Sequence, residues 1–442
     1  MRNVSKSRLK DEVIQTQKQY VMPCVETWAD IVFVDGKGAT LTDTEGKQYV
    51  DCFAGVAVVN AGHCHPKVVK AVKDQVEKIT HLSTLYYTIP MGALARKLSD
   101  IVPIEKGKVK KSFFCNSGTE ANEHAVTLAK KYTKKNEVIG LQCGFYGRGG
   151  MTMGLSGLGA WRAGLGPFMP GVIHAPSYYC YRCPLGHKEG PPACDYACAR
   201  YVEQILKTET TQQVAAFVAE PIFGIGGCVH APKEYFKIVN EILKQQGILL
   251  IIDEVQTGFG RTGDMFAIEY YGVEPDIISM AKGIASGIPM AAITSRTEIA
   301  DSYLGPHFST FGGNPLSCAA ALASIDAIME EDMPSNAAKV GSYMLKRLQE
   351  MQKEHRMLDD PQGRGLMIGA EIVTDKDSRN PAADAVLNEI QAVGAERGVL
   401  FGRGGLYYNR IRLQPPLCIT MEQATRAMDV LDDVLTIVER HN

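Results

Sequence analysis

The sequence predicts an α/β protein with a large domain on a mostly parallel central sheet and a smaller α+β domain assembled from both ends of the chain. Three observations predict it. Between about residues 60 and 320, short apolar runs alternate with segments of helical period, the pattern of parallel strands joined by crossover helices. Two of those runs, Ile248–Ile252 and Asp276–Ala281, end directly in Asp253-Glu254 and in Lys282, and open α/β sheets bind ligands at the carboxyl ends of such strands. Outside this region the pattern changes, to period two near the N-terminus and to a further set of helices and strands beyond Ala337. The expected division is 1–60 for an N-terminal arm and part of the small domain, 61–320 for the large domain and 321–442 for the rest of the small domain.

In chain order, residues 1–22 read as a charged helical arm. Ile31–Phe53 reads as two strands, the first running to Asp43, joined by the turn Asp43–Lys47. His63 and His65 follow in a glycine-rich passage and are read as structural. Pro66–Ile79 is helical, with Val68, Val69, Val72 and Val76 on one face. A helix over 91–101 precedes the strand Ser112–Cys115. That strand runs into Asn116-Ser-Gly-Thr-Glu-Ala-Asn122 and then a helix. A strand, a turn of small residues and a helix N-terminus together present backbone N–H groups and the positive dipole end to an anion. The strand Val138–Gln142 leads to Gly144–Arg148, and Val214–Ala219 ends in Glu220, repeating the strand-end carboxylate of Asp253. Helices over 199–207, 233–245 and 316–329, a strand over 365–373, a helix over 382–397, a strand near Val399 and a helix from Met421 complete the reading.

Composition narrows the function. With 45% hydrophobic and 22% charged residues and a formal charge of −2, the chain is an ordinary globular protein with no field suited to nucleic acid or an anionic membrane. No apolar signal core or run of eighteen apolar residues occurs, so a cytoplasmic location is expected. The 12 cysteines read as reduced thiols. Among them Cys180, Cys183, Cys194 and Cys198 have a spacing able to hold tetrahedral zinc; no metal is assigned, and structural zinc is the alternative. No G-x-G-x-x-G follows a strand, which disfavours a nicotinamide enzyme.

The chemistry converges on Lys282 and Asp253. A lysine amine can form a Schiff base with an aldehyde cofactor, and a buried aspartate can pair with a pyridinium nitrogen. The run Asp253-Glu-Val-Gln-Thr-Gly-Phe-Gly-Arg-Thr-Gly263, followed by a lysine after an apolar strand, resembles the class III (ω-amino acid) aminotransferases, and the resemblance extends from about Pro23 to about Val438. It implies a fold type I transferase dependent on pyridoxal 5'-phosphate (PLP), held by Lys282. Asp253 would meet the ring nitrogen, and Ser117, Gly118 and Thr119 the phosphate. Phe145 would lie on the ring face, and Gln256 at the phenolic oxygen. The resemblance also implies that Thr310 reaches the cofactor phosphate of a neighbouring subunit, hence a homodimer with shared sites, with dimers pairing into tetramers left open. Substrate contacts fall to Val56 at the pocket mouth and to Arg148 and Arg412 for carboxylates, with Glu220 pairing Arg412 when no α-carboxylate is bound. Tyr146 stands where the family usually has histidine and Gly149 where threonine is common. Arg410, two residues off the pattern, reads as structural. The passage Gly398–Gly405 is similar to the alanine–glyoxylate branch.

The activity this implies is ping-pong transfer of an amino group from a small donor (4-aminobutyrate, β-alanine, taurine or alanine) to pyruvate, glyoxylate or 2-oxoglutarate. A racemase or aminomutase of the same family is the alternative, because one lysine serves both chemistries.

Overall fold

Six strands of the central sheet run in one direction because the connections between successive ones are crossovers that return the chain to the same edge. The computed structural model describes residues 6–24 and 27–441. The central sheet has seven strands in the order Lys110–Cys115, Ala291–Arg296, Ile277–Met280, Leu249–Asp253, Val214–Ala219, Glu137–Leu141 and Val172–Ala175. Only Ala291–Arg296 is antiparallel to its neighbours. Alternate residues feed two cores. Ala216, Val218, Leu249 and Ile251 face one side, against Ala121, Ala125 and Ala129 of the helix Gly118–Thr133. Phe217, Ala219, Leu250 and Ile252 face the other, in the larger core with Val202 and Val239 from the helices Ala197–Thr208 and Tyr235–Gln245. A strand buried on both faces must be apolar throughout, which is why Val214–Ala219 reads as a continuous hydrophobic run.

The ends of the chain combine. The short strand Val399–Leu400 pairs in parallel with Gln48–Asp51, joining the N-terminal sheet to the C-terminal segment. A separate antiparallel sheet contains Leu358–Arg364, Met367–Ile372, Arg410–Leu413 and Gly402–Gly404 in that order. The helix Met333–Glu354 packs on this sheet and against the closing helix Met421–His441. No helix among the described residues is long and apolar enough to cross a membrane.

Two expected elements divide differently. The single strand expected up to Asp43 is a hairpin, Phe33–Lys37 with Thr40–Asp43, reversed at Gly38, whose φ of +57° suits the tight turn. The strand expected over 365–373 is half of another hairpin. Its partner Leu358–Arg364 carries a register shift between Asp359 and Gln362, and Asp360 there has φ +46°.

Arg261 connects these regions. It is fully buried, and its guanidinium donates to the carbonyls of Leu366 (3.1 Å) and Pro415 and to Asn60 Oδ1 (2.8 Å). Asn60 donates onward to the Phe259 carbonyl at 2.9 Å. Replacing Arg261 with methionine fills the space but leaves three acceptors without donors. Arg261→Met is expected to lower the unfolding free energy by roughly 3–5 kcal/mol, read as a shift of the urea midpoint; an unchanged midpoint contradicts it.

Candidate active site

The parallel strands present their carboxyl ends at one edge of the sheet, and the loops that follow them enclose a cavity of about 150 Å3. Asp253 lies at the end of the central strand and is 3% exposed. Its Oδ2 accepts from Asn122 Nδ2 at 2.6 Å and its Oδ1 from the Val255 N–H at 2.9 Å. Asn122 is itself held, accepting from the Ser279 hydroxyl at 2.6 Å and donating to the Tyr146 carbonyl at 2.9 Å. Ser279 is directly paired with Asp253 in the parallel ladder, so the strand register places this support. Burial pushes the Asp253 carboxyl up to about 6, and the Val255 and Asn122 donors restrain the rise.

Lys282 follows the neighbouring strand, lines the same cavity and has a left-handed backbone with φ +47°. A non-glycine residue in that region is strained, and such strain gathers at functional sites. Its amine makes no hydrogen bond to any described residue. Burial pulls the amine down to about 8, opposed by the charges of Asp253 and Glu220. Gly283, the next residue, passes so close to Asn60 that a Cβ there would lie 2.4 Å from Nδ2.

Glu220 completes the acidic side. Its two oxygens accept from the N–H groups of Phe145 and Gly224, each at 2.8 Å. Burial, then the charge of Asp253, pushes its carboxyl up to about 8. Arg412 is 2% exposed; it donates to the carbonyls of Arg403 (2.9 Å) and Gly224 (3.0 Å) and lies 4.9 Å over the Phe53 ring. The expected Glu220–Arg412 ion pair is therefore not formed. Backbone groups satisfy each charge, and Gly224 serves both.

At the other end of the cavity the helix Gly118–Thr133 begins. Ser117 is its N-cap, accepting from the Glu120 N–H at 3.2 Å, while Glu120 accepts from the Asn116 N–H at 3.2 Å. Gly118 and Thr119 are first-turn residues, whose N–H groups have no intrahelical acceptor. A Cβ at Gly118 would lie 2.7 Å from Val255 Cγ1, and one at Gly147 would lie 2.7 Å from Thr119 Oγ1, so only bare backbone fits at both places.

These features fit PLP. A dipole-bearing helix end suits the phosphate. Asp253 accepts only one hydrogen bond per oxygen and retains capacity for a ring N–H. Phe145 borders the cavity, its ring edge-on to Trp161 at 5.0 Å. Gln256 Oε1 accepts from Gln414 Nε2 at 2.9 Å, which leaves its own amide N–H groups to donate.

Ser117 and Arg412 are not among the residues that line this cavity, and three further expected site residues also lie outside its lining in this chain. Arg148 is exposed, with its backbone N–H on Thr119 Oγ1 at 3.3 Å. Val56 is partly buried in a turn at φ +68°. Thr310 is exposed on the loop before the helix Pro315–Glu330. Cys180, Cys183, Cys194 and Cys198 line a separate cavity of about 20 Å3 with His187 and Glu189; no three ligand-type side chains among the described residues are arranged to hold a metal. Sequence reasoning missed Asn122 and Ser279. The available signal was an asparagine on a helix face otherwise made of Ala121, Ala125, Val126 and Ala129.

Comparisons with known proteins show what the chain is similar to. Residues 23–435 match the family model for aminotransferase class-III. Alanine–glyoxylate aminotransferase 2 homolog 2, mitochondrial, of Arabidopsis thaliana is 37% identical, the match covering 96% of this chain and 87% of that protein. A leucine/methionine racemase of Thermococcus litoralis is 39% identical over 97% of this chain and 96% of its own. The crystal structure of a Bacillus anthracis aminotransferase superposes with a TM-score of 0.91 at 32% identity, covering 98% of this chain and 100% of that one.

Asn122→Ala removes a hydrogen bond to a charged group, a loss of roughly 1.5–3 kcal/mol. Titration of the apoprotein is expected to show a PLP dissociation constant at least about tenfold weaker; unchanged affinity contradicts the support role. In the apoprotein, aldehyde with cyanoborohydride is expected to label Lys282 ahead of other lysines, with a rate that rises through about pH 8 as the amine loses its proton. Peptide mass mapping checks this, and labelling that rises only near the ordinary lysine range contradicts it.

Proposed function

The chain belongs to the class III aminotransferase family, and on that premise we propose that it moves the amino group of a small donor (4-aminobutyrate, β-alanine, taurine or alanine) to pyruvate, glyoxylate or 2-oxoglutarate. It is an aminotransferase whose cofactor is PLP and whose substrates are amino and oxo acids. The observation that carries the reading is the meeting of Lys282 and Asp253 in one cavity at the carboxyl edge of the sheet.

When bound, PLP supplies an electrophilic carbonyl carbon and an electron-accepting ring. The work of the protein is to manage charge and protons around it. The Lys282 amine, freed of its proton more readily than an ordinary lysine, is the base that takes a proton from the substrate carbon and the acid that returns it. Asp253 would hold a proton at the ring nitrogen, with Asn122 and Val255 keeping its carboxylate charged and oriented. The first-turn N–H groups at Gly118 and Thr119 would hold the phosphate, with Ser117 fixing the start of the helix. Phe145 would cover one ring face, and the Gln256 amide would donate to the phenolic oxygen. Arg412 is the anchor for a substrate carboxylate. Glu220 and Arg412 are linked through Gly224, whose N–H donates to Glu220 and whose carbonyl accepts from Arg412, and Glu220 is assigned to the substrate side of the site. Val56 and Arg148 are assigned to the mouth.

The same reading includes a homodimer. Leu85, Tyr86, Tyr87 and Ile89 are exposed, as are Leu304, Phe308 and Phe311, and the His81 ring stands 5.2 Å from Phe311. A second copy of the chain would cover this apolar surface and bring Thr310 to the partner site. The large and small domains are assigned to 61–320 and to 1–60 with 321–442, and the free cysteines support a reducing, cytoplasmic location.

The racemase relative favours a second reading, an amino-acid racemase or epimerase. Mixing holoprotein with single amino donors and no acceptor separates the two. Transfer predicts loss of the cofactor's long-wavelength absorbance and release of one oxo acid per site. Unchanged absorbance, with loss of optical activity from an amino acid, would overturn it in favour of the racemase.

A further inference from the structure

Arg410 lies two residues before Arg412 on the strand Arg410–Leu413, so both side chains project from the same face. It is fully buried in a dense array of charge. Its Nη1 donates to Asp360 Oδ2 at 2.6 Å and to the Tyr179 hydroxyl at 2.5 Å, and its Nη2 donates to the Asp360 carbonyl at 3.0 Å. Glu371, also fully buried, accepts from Arg182 Nη2 at 2.7 Å and Nε at 3.1 Å, from Asn409 Nδ2 at 2.5 Å and from the Tyr179 hydroxyl. Two arginines and two carboxylates thus balance. A balanced buried cluster contributes little net stability compared with apolar packing, so the geometry it imposes on its neighbours matters more than the energy it supplies.

The array has one output toward the cavity. Arg410 Nε donates to the Gly227 carbonyl at 2.8 Å. Gly227 closes a turn by donating its N–H to the Gly224 carbonyl at 3.1 Å. That carbonyl also accepts from Arg412, while the Gly224 N–H donates to Glu220. Ile225, inside the turn, lines the cavity. Gly227 has φ +109°, and a Cβ on it would lie 2.3 Å from Arg410 Cδ, so turn and arginine fit only in this arrangement. Tyr179 and Arg182 stand at the start of the cysteine-rich insert, which ties that insert to the same turn.

We propose that Arg410, braced by Tyr179, Asp360 and Glu371, is a positioning residue that fixes the Gly224–Gly227 turn and so sets the orientation of Arg412 toward substrate carboxylates. It does not take part in proton transfer at Lys282. The inference rests on the reading of Arg412 as the carboxylate anchor.

Arg410→Lys retains the charge but cannot serve Asp360 and Gly227 together. Gly227→Ala disturbs the same link from the turn and leaves every charge in place. The expected result for either variant is a KM for the 2-oxo acid raised about tenfold, the loss of one charge-assisted contact, with kcat and the PLP dissociation constant unchanged. If Arg410→Lys does not fold, Gly227→Ala decides alone. An unchanged KM, or a fall in kcat together with loss of PLP binding, overturns the inference. Arg412→Lys is measured beside them. A KM raised by Arg412→Lys but not by the other variants sinks the positioning role alone; a KM unmoved by Arg412→Lys sinks the anchor reading as well.

Discussion

The Asp253 carboxylate is out of water, and on the proposed reading it must stay charged to hold a proton on a bound ring; the architecture around it answers that requirement. The parallel register brings Ser279 alongside, Ser279 fixes Asn122, and Asn122 donates to the carboxylate. Each link depends on a different element: two neighbouring strands and the helix that crosses behind them. A shift of register by one residue would turn Ser279 to the other face of the sheet and leave Asn122 without its partner. The same helix begins beside Ser117, so the element that supports Asp253 also forms the end of the cavity to which the cofactor phosphate is assigned.

Lys282 is the electrostatic counterpart. Burial lowers the proton affinity of its amine, and the carboxylates of Asp253 and Glu220 limit how far it falls. The amine is thereby suited to shuttle protons near neutral pH. Its left-handed backbone and the close passage of Gly283 beside Asn60 hold it at the rim, and Asn60 is in turn bonded to Arg261. Rigid packing below the cavity and spare hydrogen-bonding capacity inside it are complementary parts of one design.

Strand-end chemistry was legible because buried parallel strands have few polar residues, so Asp253, Glu220 and Lys282 stand out against apolar runs. The strand Val214–Ala219 has the very bounds its composition implies. Other features were illegible for physical reasons. Phe33–Asp43 turns back at Gly38 within a stretch whose alternation passes for one strand. Leu358–Arg364 contains Asp359, Asp360 and Pro361, and its pairing survives only through a register shift. The Glu220–Arg412 pair was inferred from opposite charges at motif positions, but sequence carries no information on which backbone N–H and C=O groups will face a side chain. Here they faced both. Arg410 read as structural for the same reason, since its link to Gly227 runs through main-chain atoms.

The central claim is that a buried, charged Asp253 keeps the ring nitrogen of the cofactor protonated. The direct measurement is the 15N chemical shift of PLP labelled at its ring nitrogen, bound to the wild-type protein and to Asn122→Ala across a pH series. A wild-type ring nitrogen that stays protonated well above the pH at which free PLP loses that proton, with an earlier loss in Asn122→Ala, is the result the account predicts. A ring nitrogen that titrates as it does in free PLP, or identically in both proteins, would contradict it.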